Sequence, residues 1–134
     1  MTIFEKIVAR EIPALIIYED DDIISFMDLY PISKGHLLVC PKKPYPDIFA
    51  IPEDILAKLI KVVKTISLAV KKTFKCDGIN LINNNGASAN QVVPHYHMHI
   101  IPRYNGDKVG FNFPHNEVSE EIRKEWAKAI KSAL

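Results

Sequence analysis

Three of the five histidines in the chain, His95, His97 and His99, occupy alternate positions. Successive side chains of a β-strand point to opposite faces of the sheet, so this spacing predicts that the three imidazoles share one face. Each buried imidazole needs partners for a donor and an acceptor, and a row of three therefore indicates a functional site more than a core. Two kinds of site suit the row: a Zn²⁺ or Cu²⁺ centre, or a nucleophilic imidazole whose neighbours fix its tautomer.

The segment that precedes the histidines, residues 83–91, carries side-chain amides, a hydroxyl and turn-forming residues, with no carboxylate and no cysteine. Such groups bind an anionic oxygen better than they bind a cation. A polar turn between two strands would have the same composition. The position directly before the histidines favours a rim that binds phosphate.

Apolar patterning along the rest of the chain predicts the helices. Apolar residues recur every three or four positions over residues 53–74, which predicts one long helix with Pro52 in its first turn. A short helix that begins near Ile3 and ends near Pro13, and a C-terminal helix with Ser119 as its N-cap, are predicted on similar grounds. The apolar stripe of the long helix comprises Ile55, Leu59, Val62, Ile66, Ala69 and Val70.

Short apolar runs bounded by turn residues predict five strands. They cover residues 15–18, 23–27, 36–40, 78–81 and 96–101. Strands that mostly follow one another, with one long helix inserted, indicate an α+β fold with a largely antiparallel sheet.

The overall composition limits the classes of partner. A chain of 134 residues with 48% hydrophobic residues fits a single domain over residues 1–134. The formal net charge of +1 lacks the basic excess that drives nucleic-acid binding, and no apolar run reaches the ~20 residues of a membrane span. Cys40 and Cys76 match no metal-ligand spacing and are expected to be buried thiols. A soluble, cytoplasmic protein is expected.

The run His-Tyr-His-Met-His-Ile-Ile over residues 95–101 resembles the signature of the histidine-triad (HIT) superfamily of nucleotidyl hydrolases and transferases. The chain is most similar to the branch that contains purine nucleoside phosphoramidases and short bacterial-type members. The dinucleoside polyphosphate hydrolases are the nearest alternative. Further matches, in order along the chain, are residues 3–7, 11–14, 18–21, 26–28, 35–39, 41–42, 84–86, 91 and 101–104.

The resemblance implies the HIT fold, which is a mainly antiparallel five-stranded sheet with one long helix and a C-terminal helix. It also implies a homodimer in which the helix over residues 53–74 and the strand over residues 78–81 join two sheets. Many bacterial-type members carry half of a structural zinc site near the N-terminus as Cys-x-x-Cys. The matching positions here are Thr2 and Glu5, so no metal and no cofactor are expected.

The activity implied by the resemblance is hydrolysis or transfer at the α-phosphate of purine nucleoside monophosphate derivatives such as phosphoramidates. His97 would be the nucleophile and would form a nucleotidyl-histidine intermediate that water then releases. A neutral imidazole is a good nucleophile near pH 7, which makes this step chemically sound. His95 and His99 would flank the nucleophile and support its orientation and the phosphate charge, and His36 would be the fourth catalytic histidine of the family, packed against them.

Binding residues carry over by the same resemblance. Asp28 matches the acid that binds the ribose hydroxyls, since a carboxylate accepts two hydrogen bonds at once. Asn84 and Gln91 match polar groups around the phosphate, with the backbone N–H groups of Gln91, Val92 and Val93 completing the cradle. An apolar slot for the base, whose residues could equally be ordinary core, comprises Ile3, Phe4, Ile7, Ile12, Phe26 and Leu38.

Two departures from the family pattern bear on the activity. Asn90 stands where glycine is common, and asparagine is among the residues that best tolerate the left-handed backbone. Val92 stands where phosphoramidases have a serine that assists the leaving group. Besides the hydrolase, two functions therefore stay open: a metal-binding protein that uses the three alternating histidines, and a nucleotide-binding interaction module with vestigial hydrolysis.

Overall fold

The computed structural model describes residues 1–134 and shows one five-stranded sheet with helices on its faces. The strands are β1 (Ile16–Glu19), β2 (Ile23–Met27), β3 (Leu37–Pro41), β4 (Gly78–Ile82) and β5 (Met98–Arg103). The helices are α1 (Ile3–Val8), α2 (Glu53–Phe74) and α3 (Glu120–Ala133), with a short 3-10 turn over Ala87–Ala89.

The sheet order is β1-β2-β3-β5-β4, and every neighbouring pair is antiparallel. The α+β class, the antiparallel sheet and the number of strands predicted from the sequence are confirmed. β1 and β4 form the two edges of the sheet, while β5 lies between β3 and β4.

The two faces of the sheet are covered unequally. The 22-residue helix α2 covers one face, where Leu59, Val63, Ile66 and Val70 pack against residues of the central strands such as Val39. The other face receives only the six-residue helix α1, whose Phe4 and Ile7 pack on Ile24, Phe26, Leu38 and Cys40. The α1 face therefore leaves room for side chains with another purpose.

The long helix lies where the sequence predicts it, but two details differ. Val63 is buried at the centre of its inner stripe, while the predicted Val62 is half-buried and Ala69 is exposed. Pro52 is the N-cap, with extended backbone angles of φ −63° and ψ 145°, and the helix begins one residue later. A proline just before the first turn costs no hydrogen bond, because the first helical N–H groups have no partner within the helix.

Strand β5 begins later than the sequence predicts. The predicted strand starts at Tyr96, whereas the observed one starts at Met98. The reason is that the N–H of Tyr96 donates to the carbonyl of Tyr45, in the loop after β3, and not to a neighbouring strand. His95 and His97 consequently lie in the segment that leads into β5, and only His99 lies within the strand.

The C-terminal helix α3 begins as predicted, with the Ser119 hydroxyl accepting from the N–H of Ile122. None of its residues is buried, and Ile122, Trp126 and Ile130 of its apolar stripe are exposed. Both cysteines are buried free thiols, as predicted. No helix is long and apolar enough to span a membrane.

A glycine fixes the approach of α2 to the turn before β3. Gly35 has a φ of +92°, and a Cβ atom at this position would lie 2.7 Å from Cε2 of Phe74, the last residue of α2, and 3.2 Å from Cγ of Pro102. The turn therefore needs glycine both for its backbone angle and for space.

We expect Gly35→Ala to lower the free energy of unfolding by about 2 kcal/mol or more, since backbone strain and overlap with Phe74 add. Gly106→Ala is the control, because Gly106 also has a positive φ, of +77°, but a methyl group added there would have nothing within 4 Å. Denaturant unfolding of both variants measures the difference. Equal losses in the two variants would show that contact with Phe74 contributes nothing.

Candidate active site

The predicted sharing of one face by the histidines is present in the structure. Tyr96 and Ile100 are buried in the core under α2, while the imidazoles lie on the α1 side. The ring centroids of His97 and His99 are 5.0 Å apart. The Phe4 ring of α1 meets the His95 and His97 rings edge-on, with centroid distances of 5.4 and 5.0 Å.

The tautomer of His97 is fixed by the backbone of His95, two residues earlier in the chain. Nδ1 of His97 lies 2.7 Å from the carbonyl oxygen of His95. A carbonyl oxygen only accepts hydrogen bonds, so Nδ1 carries the proton and Nε2 of the neutral ring holds a free lone pair. Burial lowers the pKa of His97, against the raising effects of the His95 carbonyl and of Asp28. The ring is therefore neutral at physiological pH, and the lone pair of its Nε2 is not used by another group of the chain.

His95 is held at both ring nitrogens. Its Nε2 donates to the carbonyl of Pro41, at 2.7 Å, and its Nδ1 accordingly accepts from the hydroxyl of Thr2, at 2.8 Å. The side chain is fully buried, and burial lowers its pKa. Since neither nitrogen of His95 is free, this arrangement does not offer the three-histidine metal site that the spacing alone left open.

His36, the fourth histidine of the set, faces His99. The N–H of Ile32 donates to Nδ1 of His36 at 3.0 Å, so Nε2 of His36 carries the proton and donates to Nδ1 of His99, also at 3.0 Å. Nδ1 of His99 is thus an acceptor, and its proton lies on Nε2. Burial and the nearby rings of His97 and His36 lower the pKa of His99 to about 4.

Asp28 lies beside this pair. Its Oδ1 accepts from the N–H of Tyr30 at 2.7 Å, and its Oδ2 lies 3.6 Å from Nε2 of His36. Asp28, His36 and His99 place their ligand atoms within 4.8 Å of one another, which is close enough to hold a metal ion. A metal on Nε2 of His36 would require its proton to move to Nδ1, opposite the Ile32 N–H. The observed hydrogen bonds therefore favour a hydrogen-bonded pair of histidines beside Asp28 over a bound metal ion.

In the rim before the histidines, some polar groups form hydrogen bonds within the loop and others have no partner in the chain. Gln91 accepts from the N–H of Gly86 and donates to the carbonyls of Pro46 and Val93. Its own N–H donates to Gly86, so Gln91 fixes the loop and the cradle predicted from residues 91 to 93 loses one donor. The N–H groups of Val92 and Val93 bond to no other group of the chain.

The other rim residues singled out from the sequence are Asn84, Asn90 and Val92. Asn84 reaches the carbonyl of Asn90 at 3.5 Å, and the side chain of Val92 is 89% exposed. Asn90 takes a left-handed backbone with φ 66°, the geometry expected of an asparagine that replaces glycine.

The predicted apolar slot forms one cluster on the α1 face. Phe4, Ile7, Phe26 and Leu38 are buried together, and Ile12 and Val93 pack at the margin. Ile3 is 47% exposed and lies outside this cluster. Apart from Ile3, the predicted slot residues thus lie together, and Phe4 among them contacts the rings of His95 and His97.

Two side chains that form hydrogen bonds with the histidine segment were not predicted from the sequence to do so, those of Asn83 and Thr2. The side-chain amide of Asn83 donates to the carbonyl of His97 at 3.0 Å, and Asn83 accepts in turn from Asn85 at 2.6 Å. The Thr2 hydroxyl binds His95. A signal for Thr2 exists in the sequence, since Thr-x-x-Glu before an apolar run is the pattern of a helix-capping box.

Comparisons with known proteins agree with this geometry. The HIT domain model matches residues 9–106. The chain is 46% identical over 127 residues to an uncharacterized HIT-like protein of Methanocaldococcus jannaschii, covering 93% of this chain and 98% of that protein. It is 39% identical over 131 residues to adenylylsulfatase HINT3 of Arabidopsis thaliana, covering 98% of this chain and 63% of that protein.

A solved structure shows the same fold. The histidine triad nucleotide-binding protein from Candida albicans superposes with a TM-score of 0.89 at 31% sequence identity, covering 99% of this chain and 96% of that chain. Sequence similarity, the shared fold and the alternating histidines on the α1 face lead to one assignment: the chain belongs to the HIT family.

Proposed function

We propose that this protein hydrolyses or transfers nucleotidyl groups at the α-phosphate of purine nucleoside monophosphate derivatives, with phosphoramidates among its substrates. One observation carries the proposal: the hydrogen bond from Nδ1 of His97 to the His95 carbonyl leaves the lone pair of Nε2 free in a buried, neutral ring. Similarity to two relatives, one named an adenylylsulfatase and one a nucleotide-binding protein, supports a nucleotide substrate.

In the first step, Nε2 of His97 attacks the α-phosphorus. A P–N bond forms, and the bond to the leaving group breaks. The leaving group departs with the electron pair of that bond, and an amine takes up a proton from water. The ring then carries positive charge while Nδ1 keeps its proton, and the His95 carbonyl at 2.7 Å stabilises that charge. In the second step, water attacks the phosphorus, the P–N bond breaks, and the monophosphate and one proton leave.

The surrounding groups suit the three parts of a nucleotide. The apolar cluster of Phe4, Phe26 and Leu38, with the half-buried Ile12 and Val93 at its margin, supplies the apolar surroundings that a purine needs. Oδ2 of Asp28 accepts no hydrogen bond within the chain, and its nearest donor, Nε2 of His36, is 3.6 Å away, so it is able to accept from a ribose hydroxyl. The unpaired N–H groups of Val92 and Val93 are donors for phosphate oxygens.

A second candidate is a nucleotide-binding module whose hydrolysis is vestigial. The observation that favours it is Val92, whose exposed apolar side chain supplies no hydroxyl to a leaving group at the rim.

Dinucleoside polyphosphates, whose leaving group is a nucleotide phosphate, are the alternative substrates of the hydrolase.

We expect His97→Ala to lower the turnover of an adenosine phosphoramidate by at least about 10³-fold, because the attacking atom is removed. Adenosine monophosphate affinity, measured by calorimetry, should change little. His115→Ala is the matched control, since His115 is an exposed loop histidine. Retained turnover in the His97 variant would refute the proposed mechanism, and binding without turnover by the unaltered protein would establish the binding module instead.

We also propose that the protein is a homodimer joined through α2 and β4. β4 is an edge strand with unpaired backbone groups on its outer side, and Leu81 on this strand is 48% exposed. Leu81 pairs with Ile100, which places it on the α2 face of the sheet, and α2 itself exposes Ile60 and Leu68 by 45% and 62%. Exposed apolar side chains on an edge strand and on the long helix fit an interface between copies.

Sedimentation at micromolar concentration should give the mass of two chains, and Leu68→Glu should shift it to one, because a charge would be buried unpaired. Leu15→Glu is the control, since Leu15 is 74% exposed and precedes the opposite edge strand β1. A single-chain mass for the unaltered protein would contradict the dimer.

A further inference from the structure

The hydroxyl of Thr2 connects the N-terminal helix to the histidine row. It accepts from the N–H of Glu5 at 3.1 Å and lies 2.8 Å from Nδ1 of His95. Because Nε2 of His95 donates to the Pro41 carbonyl, Nδ1 is unprotonated and the Thr2 hydroxyl must donate to it. One hydroxyl therefore accepts from the helix and donates to the imidazole, and serine or threonine is needed to do both.

The same residue begins α1. Thr2 and Glu5 form a capping box in which the N–H of Thr2 donates to Oε1 of Glu5 at 2.8 Å. A helix of six residues has little stability of its own, so its place depends on its cap and its packing. α1 in turn carries Phe4, whose ring contacts the rings of His95 and His97.

The contact continues from His95 to His97 through the backbone. The His95 ring is fully buried and held at both nitrogens, by Thr2 and by Pro41, so it has one position. The carbonyl of the same residue accepts the Nδ1 proton of His97. Any shift of His95 therefore moves the acceptor that fixes the tautomer of the nucleophile. Loss of the hydroxyl would leave Nδ1 of His95 buried without a donor, which favours such a shift.

We infer that Thr2 is a positioning residue of the active site, which holds the His95 ring and, through the His95 carbonyl, the orientation and tautomer of His97. The inference rests on the proposed function of His97, and it makes the N-terminal helix part of the catalytic apparatus. Thr2 itself touches no reacting atom in this scheme.

The test compares Thr2→Val with Thr2→Ser. Valine has the shape of threonine without the hydroxyl, so kcat for an adenosine phosphoramidate should fall about 10-fold or more while KM changes little. Serine should restore kcat. Glu5→Ala is the matched control, because it breaks the capping box and leaves the bond between Thr2 and His95 in place. It should lower stability as Thr2→Val does but keep kcat at a temperature at which both variants are folded.

A spectroscopic reading separates this inference from the proposed function. In ¹⁵N-labelled protein, the imidazole nitrogens of His95 and His97 should keep their shifts in Thr2→Ser and change in Thr2→Val, whether or not the protein turns over a substrate. Unchanged shifts and kcat in Thr2→Val would overturn the inference. Failure of serine to restore them would trace the effect to the methyl group of threonine, since serine is also a good N-cap. An equal loss of kcat in Glu5→Ala would trace the effect to helix stability, and either result would also overturn the inference.

Discussion

The hydrogen bond from Nδ1 of His97 to the carbonyl of His95 is the constraint on which the rest of the site depends. This bond fixes the His97 ring through the backbone of His95, so the position of His95 must itself be fixed. Pro41 at the end of β3 and Thr2 before α1 hold the His95 side chain, and Asn83 after β4 holds the carbonyl of His97. Three separate parts of the fold thus converge on one short segment of irregular backbone.

The electrostatics of the site follow from burial and not from net charge. Burial lowers the pKa of His36, His95, His97 and His99, so all four rings are neutral at physiological pH. In the unfolded chain these rings titrate near their ordinary value of 6.5. As the pH falls below that value, the unfolded chain takes up protons that the folded chain does not, and stability is lost. The phosphate binding proposed for a chain with a net charge of +1 therefore relies on N–H donors and neutral imidazoles.

The sequence predicted those features that depend on local periodicity. The imidazoles lie on the side of the sheet that alternation predicts, although only His99 belongs to β5, and α2 follows from its apolar stripe. The predicted start of β5 was wrong because a contact between Tyr96 and Tyr45, far apart in the chain, replaces strand pairing. The contact of Thr2 with His95 spans 93 residues. Its partners are visible only once the sheet and α1 have been assembled, and the same holds for the bonds that make Gln91 a loop-fixing residue.

The tautomer of His97 in the protein without nucleotide tests the central claim most directly. Nitrogen chemical shifts of the His97 imidazole, measured near neutral pH in ¹⁵N-labelled protein, report which nitrogen carries the proton. We predict a protonated Nδ1 and an unprotonated Nε2. A proton on Nε2 would leave no lone pair for attack on phosphorus and would contradict the role proposed for His97.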